Sequence, residues 1–340
     1  MTSIGGFVDL SLDRTALLAL LRGAGLVAVG EDPQVQSLTG GVSSTILRVT
    51  LRSGDVCVKQ ALPKLRVAKD WHAPTDRVFA EMDWLEAAGR ILPQHVPRLL
   101  ARDVERGALV MEYLAPACHL NWKSELLGGR LHAKAGGAMG DILGRIHAHS
   151  AQDPNTAQRF DHDANFFALR LEPYFVETSR QHPDLRDHLL GLVARTQANK
   201  HALVHGDVSP KNILLGPVGA ILLDAECACH GDPAFDLAFL LNHLLLKAMA
   251  RPVHAAALAA LFTDIGQRYR RHITWEDPDA LEFRAATLLP ALLLARIDGK
   301  SPVEYLSETQ RAATRTVARH LITSGPKRLN EVLAVANPPR

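Results

Sequence analysis

His205-Gly206-Asp207-Val208-Ser209-Pro210-Lys211-Asn212 runs directly into the apolar triplet Ile213-Leu214-Leu215. Gly206 and Pro210 punctuate a loop, and the triplet reads as a short strand. A second strand-like piece, Ala220 to Leu223, ends eleven residues after Asn212, and Asp224-Ala225-Glu226 follows at once. The five-residue step from Asp207 to Asn212 lets the loop turn back so that both side chains face one place. The hairpin beyond it then returns the chain to set Asp224 beside them.

Oxygen-bearing side chains gathered in this way suit phosphoryl transfer from ATP, a reaction that asks few parts of a protein. One carboxylate orients the attacking hydroxyl and accepts its proton, oxygen ligands hold Mg²⁺ against the phosphates, and a cation fixes those phosphates in line. Asp207 fits the first role. Asn212 and Asp224 fit the second, because Mg²⁺ is hard and takes oxygen ligands. Glu226 reads equally as a ligand to a second metal ion or as a loop acid. His205, Asp232 and Asp236 read as braces of the loop rather than groups that touch substrate.

Outward from this segment the chain changes character. Leu12 to Leu21 has apolar residues at helical spacing. Val35 to Leu51 alternates loosely around Thr39-Gly40-Gly41, which predicts two strands joined by a glycine turn, and Val56 to Gln60 is a further short strand. A connector from Pro63 to Pro74 leads to a helix over Asp76 to Ala88, and Leu109 to Leu114 reads as a strand stopped by Pro116. Beyond Pro116 helices dominate: Ala133 to Ala151, Phe166 to Val176, Leu185 to Ala198 and Phe235 to Ala250, with short strands at Ala202 to Val204, Ile213 to Leu215 and Ala220 to Leu223. A β-rich first third and an α-rich remainder predict two lobes, 1–114 and 115–340, in an α+β fold.

Three blocks in order, His-Gly-Asp-x-x-x-x-Asn at 205–212, Asp-x-Glu at 224–226 and Gly231-Asp232-Pro233-Ala234-Phe235-Asp236-Leu237-Ala238, resemble the aminoglycoside phosphotransferase family. The resemblance implies a bilobal protein-kinase-like fold, with a small β-rich N-lobe, a larger mostly helical C-lobe and ATP in the cleft between them. It also implies roles upstream. Val56-Cys57-Val58-Lys59 is similar to the strand whose lysine holds the α- and β-phosphates, with Glu81 on the next helix as its partner. Thr39 to Ser44, with Gly40, Gly41, Ser43 and Ser44, stands where the phosphate-covering loop belongs. Leu109 to Leu114 resembles the hinge, where Met111, Glu112, Tyr113 and Leu114 would meet the adenine edge. Lys59-Gln60-Ala61-Leu62-Pro63, followed by Arg66-Val67, is similar to methylthioribose kinases, although Ser209-Pro210-Lys211-Asn212 departs from them. This raises a sugar or polyol as the hydroxyl acceptor.

Composition sets limits on other functions. Hydrophobic residues are 47% and charged residues 22% of the chain, a globular balance. A net charge of +2 offers no field for nucleic acid or an anionic membrane, so neither is expected as a partner. Met1 to Leu10 has no basic start followed by an apolar run, and the apolar runs at Phe235 to Ala250 and Ala285 to Ala295 read as buried helices. The four cysteines are scattered apart from Cys227-Ala228-Cys229, which points to a reducing cytoplasm. Cys227, Cys229 and His230 lack a second pair at zinc-like spacing. His147 and His149, two apart on a helix, do not share a face.

The acceptor should lie between Asp207 and the helical tail. Asn242 and His243 interrupt an apolar helix, and buried polar groups need partners or face a cavity. Arg296, Asp298 and Lys300 follow the apolar run Leu288 to Leu294; the latter two read as a charged helix end. Trp71, His72 and Asp76 form a candidate lid. A polycationic aminoglycoside would want an acidic pocket, whereas Arg296, Lys300 and His243 beside Asp298 favour a neutral or anionic acceptor. An aminoglycoside-inactivating enzyme and a non-catalytic nucleotide-binding regulator are the alternatives. The chain is expected to be a monomer or a homodimer.

Overall fold

Leu47, Val49 and Leu51 alternate with the more exposed Arg48 and Thr50 along strand β2 (Ser44–Leu51), so one face of the strand is apolar. That face meets Leu17 and Leu21 of the helix Arg14–Gly23, together with Val56, Val58 and Val110 from neighbouring strands. A ten-residue helix is too short to persist alone, so this packing holds it, helped by Asp13, whose side chain accepts the Ala16 N–H. The computed structural model describes residues 7–38, 44–62 and 77–336, and the chain divides into two compact units, Met1–Ala115 and Pro116–Arg340.

The first unit is built on an antiparallel sheet of order β1-β2-β3-β5-β4, with β1 Gln34–Ser37, β3 Gly54–Ala61, β4 Leu99–Asp103 and β5 Ala108–Glu112. Lys59 lies in β3, opposite Ile46 on one side and Leu109 on the other. The helix Arg77–Ile91 carries Glu81. Strand β4 escapes the sequence reading because Leu99-Leu100-Ala101-Arg102-Asp103 has no clean alternation, and its ladder with β5 is irregular between Leu99 and Ala101.

The second unit is mainly helical. Its central helix, Pro233–Ala250, is buried at every residue from Pro233 to Ala248, so Asp236, Asn242, His243 and Lys247 are carried into the interior with the apolar side chains. By length and composition this helix could cross a membrane, but 89% of it is buried inside the protein, which is the pattern of a core helix. The segment Phe167–Val176 is wound in wide π-type turns around Pro173, a residue without an N–H to give to a regular ladder.

Short strands frame the loop. Strand β6 (Leu120–Asn121) pairs with β8 (Ile213–Gly216), and β8 pairs with β9 (Gly219–Leu222) in a hairpin. Strand β7 (Ala202–Val204) feeds directly into His205 and pairs with β10 (Cys229–Gly231), which leads out to Asp232. The Cys229-His230 segment is therefore part of a ladder strand, and Cys227 and Cys229 are buried thiols.

Candidate active site

The loop is fixed chiefly by Asp236. Its Oδ2 accepts the His205 N–H at 2.7 Å and its Oδ1 the Gly206 N–H at 2.8 Å. His147 reaches the same carboxylate at 3.3 Å and Tyr269 Oη at 2.7 Å. His205 Nδ1 accepts the Asp207 N–H at 3.1 Å, so its proton sits on Nε2, which donates to the Leu223 carbonyl at 3.1 Å. Burial lowers the imidazole pKa against the pull of Asp236, Asp207 and Asp224, and the neutral ring is the form this geometry requires. Asp232 does not brace the loop as expected: it caps the Pro233–Ala250 helix at the Ala234 N–H and pairs with Arg284.

Gly206 has φ +77°, and a Cβ there would lie 2.8 Å from Cys227 Cβ and from the Cys227 carbonyl oxygen. Only glycine meets both the angle and the space. The next residue, Asp207, is buried at 4% exposure. Its Oδ2 lies 2.8 Å from Arg170 Nη2 and 3.2 Å from Lys211 Nζ. Arg170 also donates from Nε to the Gly206 carbonyl at 2.5 Å, so one guanidinium clamps both the loop backbone and the carboxylate. The Asp207 carboxylate raises the Lys211 pKa above its ordinary value, with a smaller push from Asp224.

Asn212 turns back as its spacing implies. Its Nδ2 donates to the Asp207 carbonyl at 3.1 Å, and Leu223 N–H donates to the Asn212 carbonyl at 2.9 Å. The loop bond is made by Nδ2, so Oδ1 is the candidate oxygen ligand of Asn212. Asp224 sits at φ +66°, a left-handed conformation that aspartate tolerates better than most residues. Glu226 is buried, with its carbonyl held by Asn165 Nδ2 at 2.6 Å. Among the described residues no group of three or more His, Cys, Asp and Glu side chains is arranged to hold a metal ion. An amide oxygen and a carboxylate that leave most positions to phosphates and water fit Mg²⁺, which seldom takes an all-protein cage.

In the first unit Lys59 Nζ lies 2.8 Å from Glu81 Oε1 and 2.7 Å from Oε2, both side chains buried. Ser44 is buried at the start of β2. Met111 and Glu112 end β5, Glu112 bonding Arg98 through both backbone and side chain. Tyr113 lies under the Arg48 guanidinium, 4.8 Å from ring centre, and Leu114 is half-buried. Gly40, Gly41 and Ser43, the Pro63 to Pro74 connector with Arg66-Val67, and Trp71, His72 and Asp76 lie outside the described residues.

Of the acceptor residues, Asp298 is bound to Arg315 and His182, and Lys300 to Glu172, so both are structural. Asn242 and His243 behave differently. Both amide atoms of Asn242 and Nε2 of His243 are buried without a hydrogen-bond partner, and so is Nε of Arg296. The Arg296 Nη1 donates to Tyr174 Oη at 3.1 Å and to Ser301 Oγ at 2.8 Å. Sequence reasoning missed Arg170, although a lone cation within Phe166 to Val176 was a visible signal. It also missed Lys247, buried four residues beyond His243.

An antiparallel sheet with a buried Lys–Glu pair, and a helical unit with a pinned Asp-x-x-x-x-Asn loop, define a protein-kinase-like fold. The chain belongs to the phosphotransferase enzyme family (APH), whose model matches residues 34–272. Methylthioribose kinase of Erwinia tasmaniensis is 31% identical over 224 residues, covering 58% of this chain and 55% of that protein. Methylthioribose kinase of Yersinia enterocolitica is 29% identical over 256 residues, covering 65% of this chain and 61% of that protein. The chain thus spans between 55% and 61% of the length of these two relatives. Among solved structures, a Plasmodium vivax ethanolamine kinase is similar at TM-score 0.57 and 12% identity, covering 89% of this chain and 87% of that one. An amicoumacin kinase in complex with AMP-PNP and Ca²⁺ is similar at TM-score 0.56 and 17% identity, covering 93% and 96%. At these identities the likeness speaks for the fold.

Proposed function

We propose that this protein transfers the γ-phosphate of ATP to a hydroxyl of a small polar metabolite, a sugar or polyol. The observation that carries the reading is Asp207. A carboxylate is held by Arg170 and Lys211 on a backbone that Asp236 fixes, where a mobile surface acid would need no such clamp. In this reading Asp207 orients the acceptor hydroxyl and takes its proton, and Lys211 and Arg170 hold the carboxylate in place. Asn212 and Asp224 would hold the metal, Glu226 would support a second one, and Lys59, placed by Glu81, would contact the nucleotide phosphates. Gly40, Gly41, Ser43 and Ser44 cover the phosphates, and residues 111–114 meet the base. Magnesium supplies charge neutralisation on the β- and γ-phosphate oxygens when bound. The methylthioribose kinase relatives support a sugar-like acceptor.

The test is ADP release with MgATP against a panel of sugars, polyols, amino alcohols and aminoglycosides. Acceptor-dependent turnover that Asp207→Ala abolishes, with ATP affinity retained, is the expected result. ATP binding without turnover on any acceptor would replace this reading with that of a regulator, and turnover confined to aminoglycosides with that of an inactivating enzyme.

A further inference from the structure

Next to the Asp207 clamp lies a group of cations with too few anions. On the Pro233–Ala250 helix, Phe239, His243 and Lys247 follow one another at four-residue intervals and share a face. The Arg170 guanidinium that holds Asp207 lies 5.8 Å from the Phe239 ring centre, and Phe239 packs edge-on against His243 at 5.2 Å. Tyr174 makes a second connection, with Arg170 and Arg296 each 5.9 Å from its ring centre. From the acceptor side of Asp207 the face therefore continues through His243 and Arg296 to Lys247.

Lys247 is only 1% exposed, and among the described residues no carboxylate forms an ion pair with it. Among the described residues its Nζ has the His243 carbonyl at 3.4 Å and the face of Tyr305 at 5.2 Å. Lys123 stands 5.9 Å from the same ring and is paired to Glu304, the one acid of the group. Among the described residues Arg296 has hydroxyl partners and no carboxylate in an ion pair with it. The Nε of Arg296, Nε2 of His243 and Oη of Tyr305 are all buried and unbonded. A buried lysine and a guanidinium with Glu304 as their one nearby acid, ringed by unbonded polar atoms, form a site whose charge and hydrogen bonding an entering anion would complete. Arg296, Tyr305 and Lys123 remain partly exposed and mark the side from which it would come.

We infer that Lys247, Arg296, His243 and Tyr305 bind an anionic group of the acceptor, a carboxylate or a phosphate, and hold its hydroxyl end toward Asp207. The inference rests on the phosphotransferase reading for the acceptor's role, and on the cation cluster alone for the binding of the anion. It narrows the substrate class from sugars and polyols to acidic ones.

The test is calorimetric titration of the full chain, in the presence of Mg²⁺ and a non-hydrolysable ATP analogue, with D-ribose, D-ribonate and D-ribose 5-phosphate. At least one acidic sugar is expected to bind about tenfold or more tighter than ribose, and Lys247→Met and Arg296→Met should each remove about tenfold or more of that gain. Lys247→Met should melt no lower than the parent, which separates lost binding from lost folding. The ribonate and ribose 5-phosphate arms distinguish carboxylate from phosphate. Equal affinity for ribose, no saturable binding of either acid, or anion binding indifferent to both variants overturns the inference. Turnover of ribose or an aminoglycoside without anion binding would remove the inference and leave the kinase. Anion binding lost in both variants, with no acceptor phosphorylated, would keep the anion site and remove the kinase.

Discussion

Arg170 Nη2 lies 2.8 Å from Asp207 Oδ2, and both side chains are almost wholly buried. Two charges removed from water together are tolerable, but either alone is costly. Among the described residues, Arg170→Met therefore leaves Asp207 paired with Lys211 alone, whose own side chain is 55% exposed. We expect kcat to fall by about 10²-fold or more, within the span that a positioned acid or base contributes, and stability to drop by up to about 3–5 kcal/mol. Steady-state kinetics and urea unfolding check this. A variant with parental kcat would remove the clamp from the mechanism.

Asp236 accepts two successive buried backbone N–H groups, those of His205 and Gly206, and touches His147. Asp236→Ala orphans both donors at about 1–3 kcal/mol each. The result should be a lower melting temperature and a lower kcat, with ATP affinity changed far less than turnover. Equal losses in nucleotide affinity and turnover would argue that Asp236 does more than hold the loop.

Gly206→Ala adds one carbon 2.8 Å from Cys227 backbone and side-chain atoms, at a φ of +77°. The left-handed angle alone costs about 1–2 kcal/mol, and the collision adds to it. Turnover should be lost along with several degrees of melting temperature. Cys227→Gly in the same chain relieves the side-chain overlap but not the angle or the carbonyl contact, so only partial rescue is expected. Full rescue would show that the Cβ–Cβ clash was the whole effect.

What the sequence shows of this site follows from how local each feature is. The loop, its hairpin and Asp224 lie within about twenty residues, and strand and turn chemistry alone brings them together. Lys59 sits in a β-rich run and Glu81 on an amphipathic helix, so each element is visible while their contact is inferred only from resemblance. Arg170 is 37 residues from Asp207 on a segment wound in π-type turns, a geometry that helical periodicity does not predict. Lys247 hides for another reason. In the sequence it is one more polar break in an apolar helix, and only the fold shows it buried with the Tyr305 ring 5.2 Å from its Nζ.

Lys247 also makes the cation cluster visible in pH. Burial lowers its pKa to about 7, aided by Lys123 and Arg296 and opposed by Glu304. His243 is pushed well below its ordinary value by burial, then by Lys247, Arg296, Lys211 and Lys123. Tyr305 faces the same group, and its phenol, raised by burial, stays neutral over this range. Because an unfolded lysine keeps its proton to about pH 10.4, the unfolded chain binds more protons than the folded one between pH 7 and that value. Stability should therefore rise with pH across this window, by at most about 1.4 kcal/mol per pH unit from this group, and His243 extends the loss below pH 6.5. Lys247→Met should abolish the rise above pH 7. Urea midpoints at pH 7.0 and 9.0 for both chains measure it, and a parallel rise in the variant would assign the pH dependence elsewhere. An acidic acceptor favours the ammonium form, so its binding at pH 8 should draw a proton into the protein, visible as a binding heat that changes with the buffer's ionisation enthalpy. Binding of the same acid to Lys247→Met should take up fewer protons.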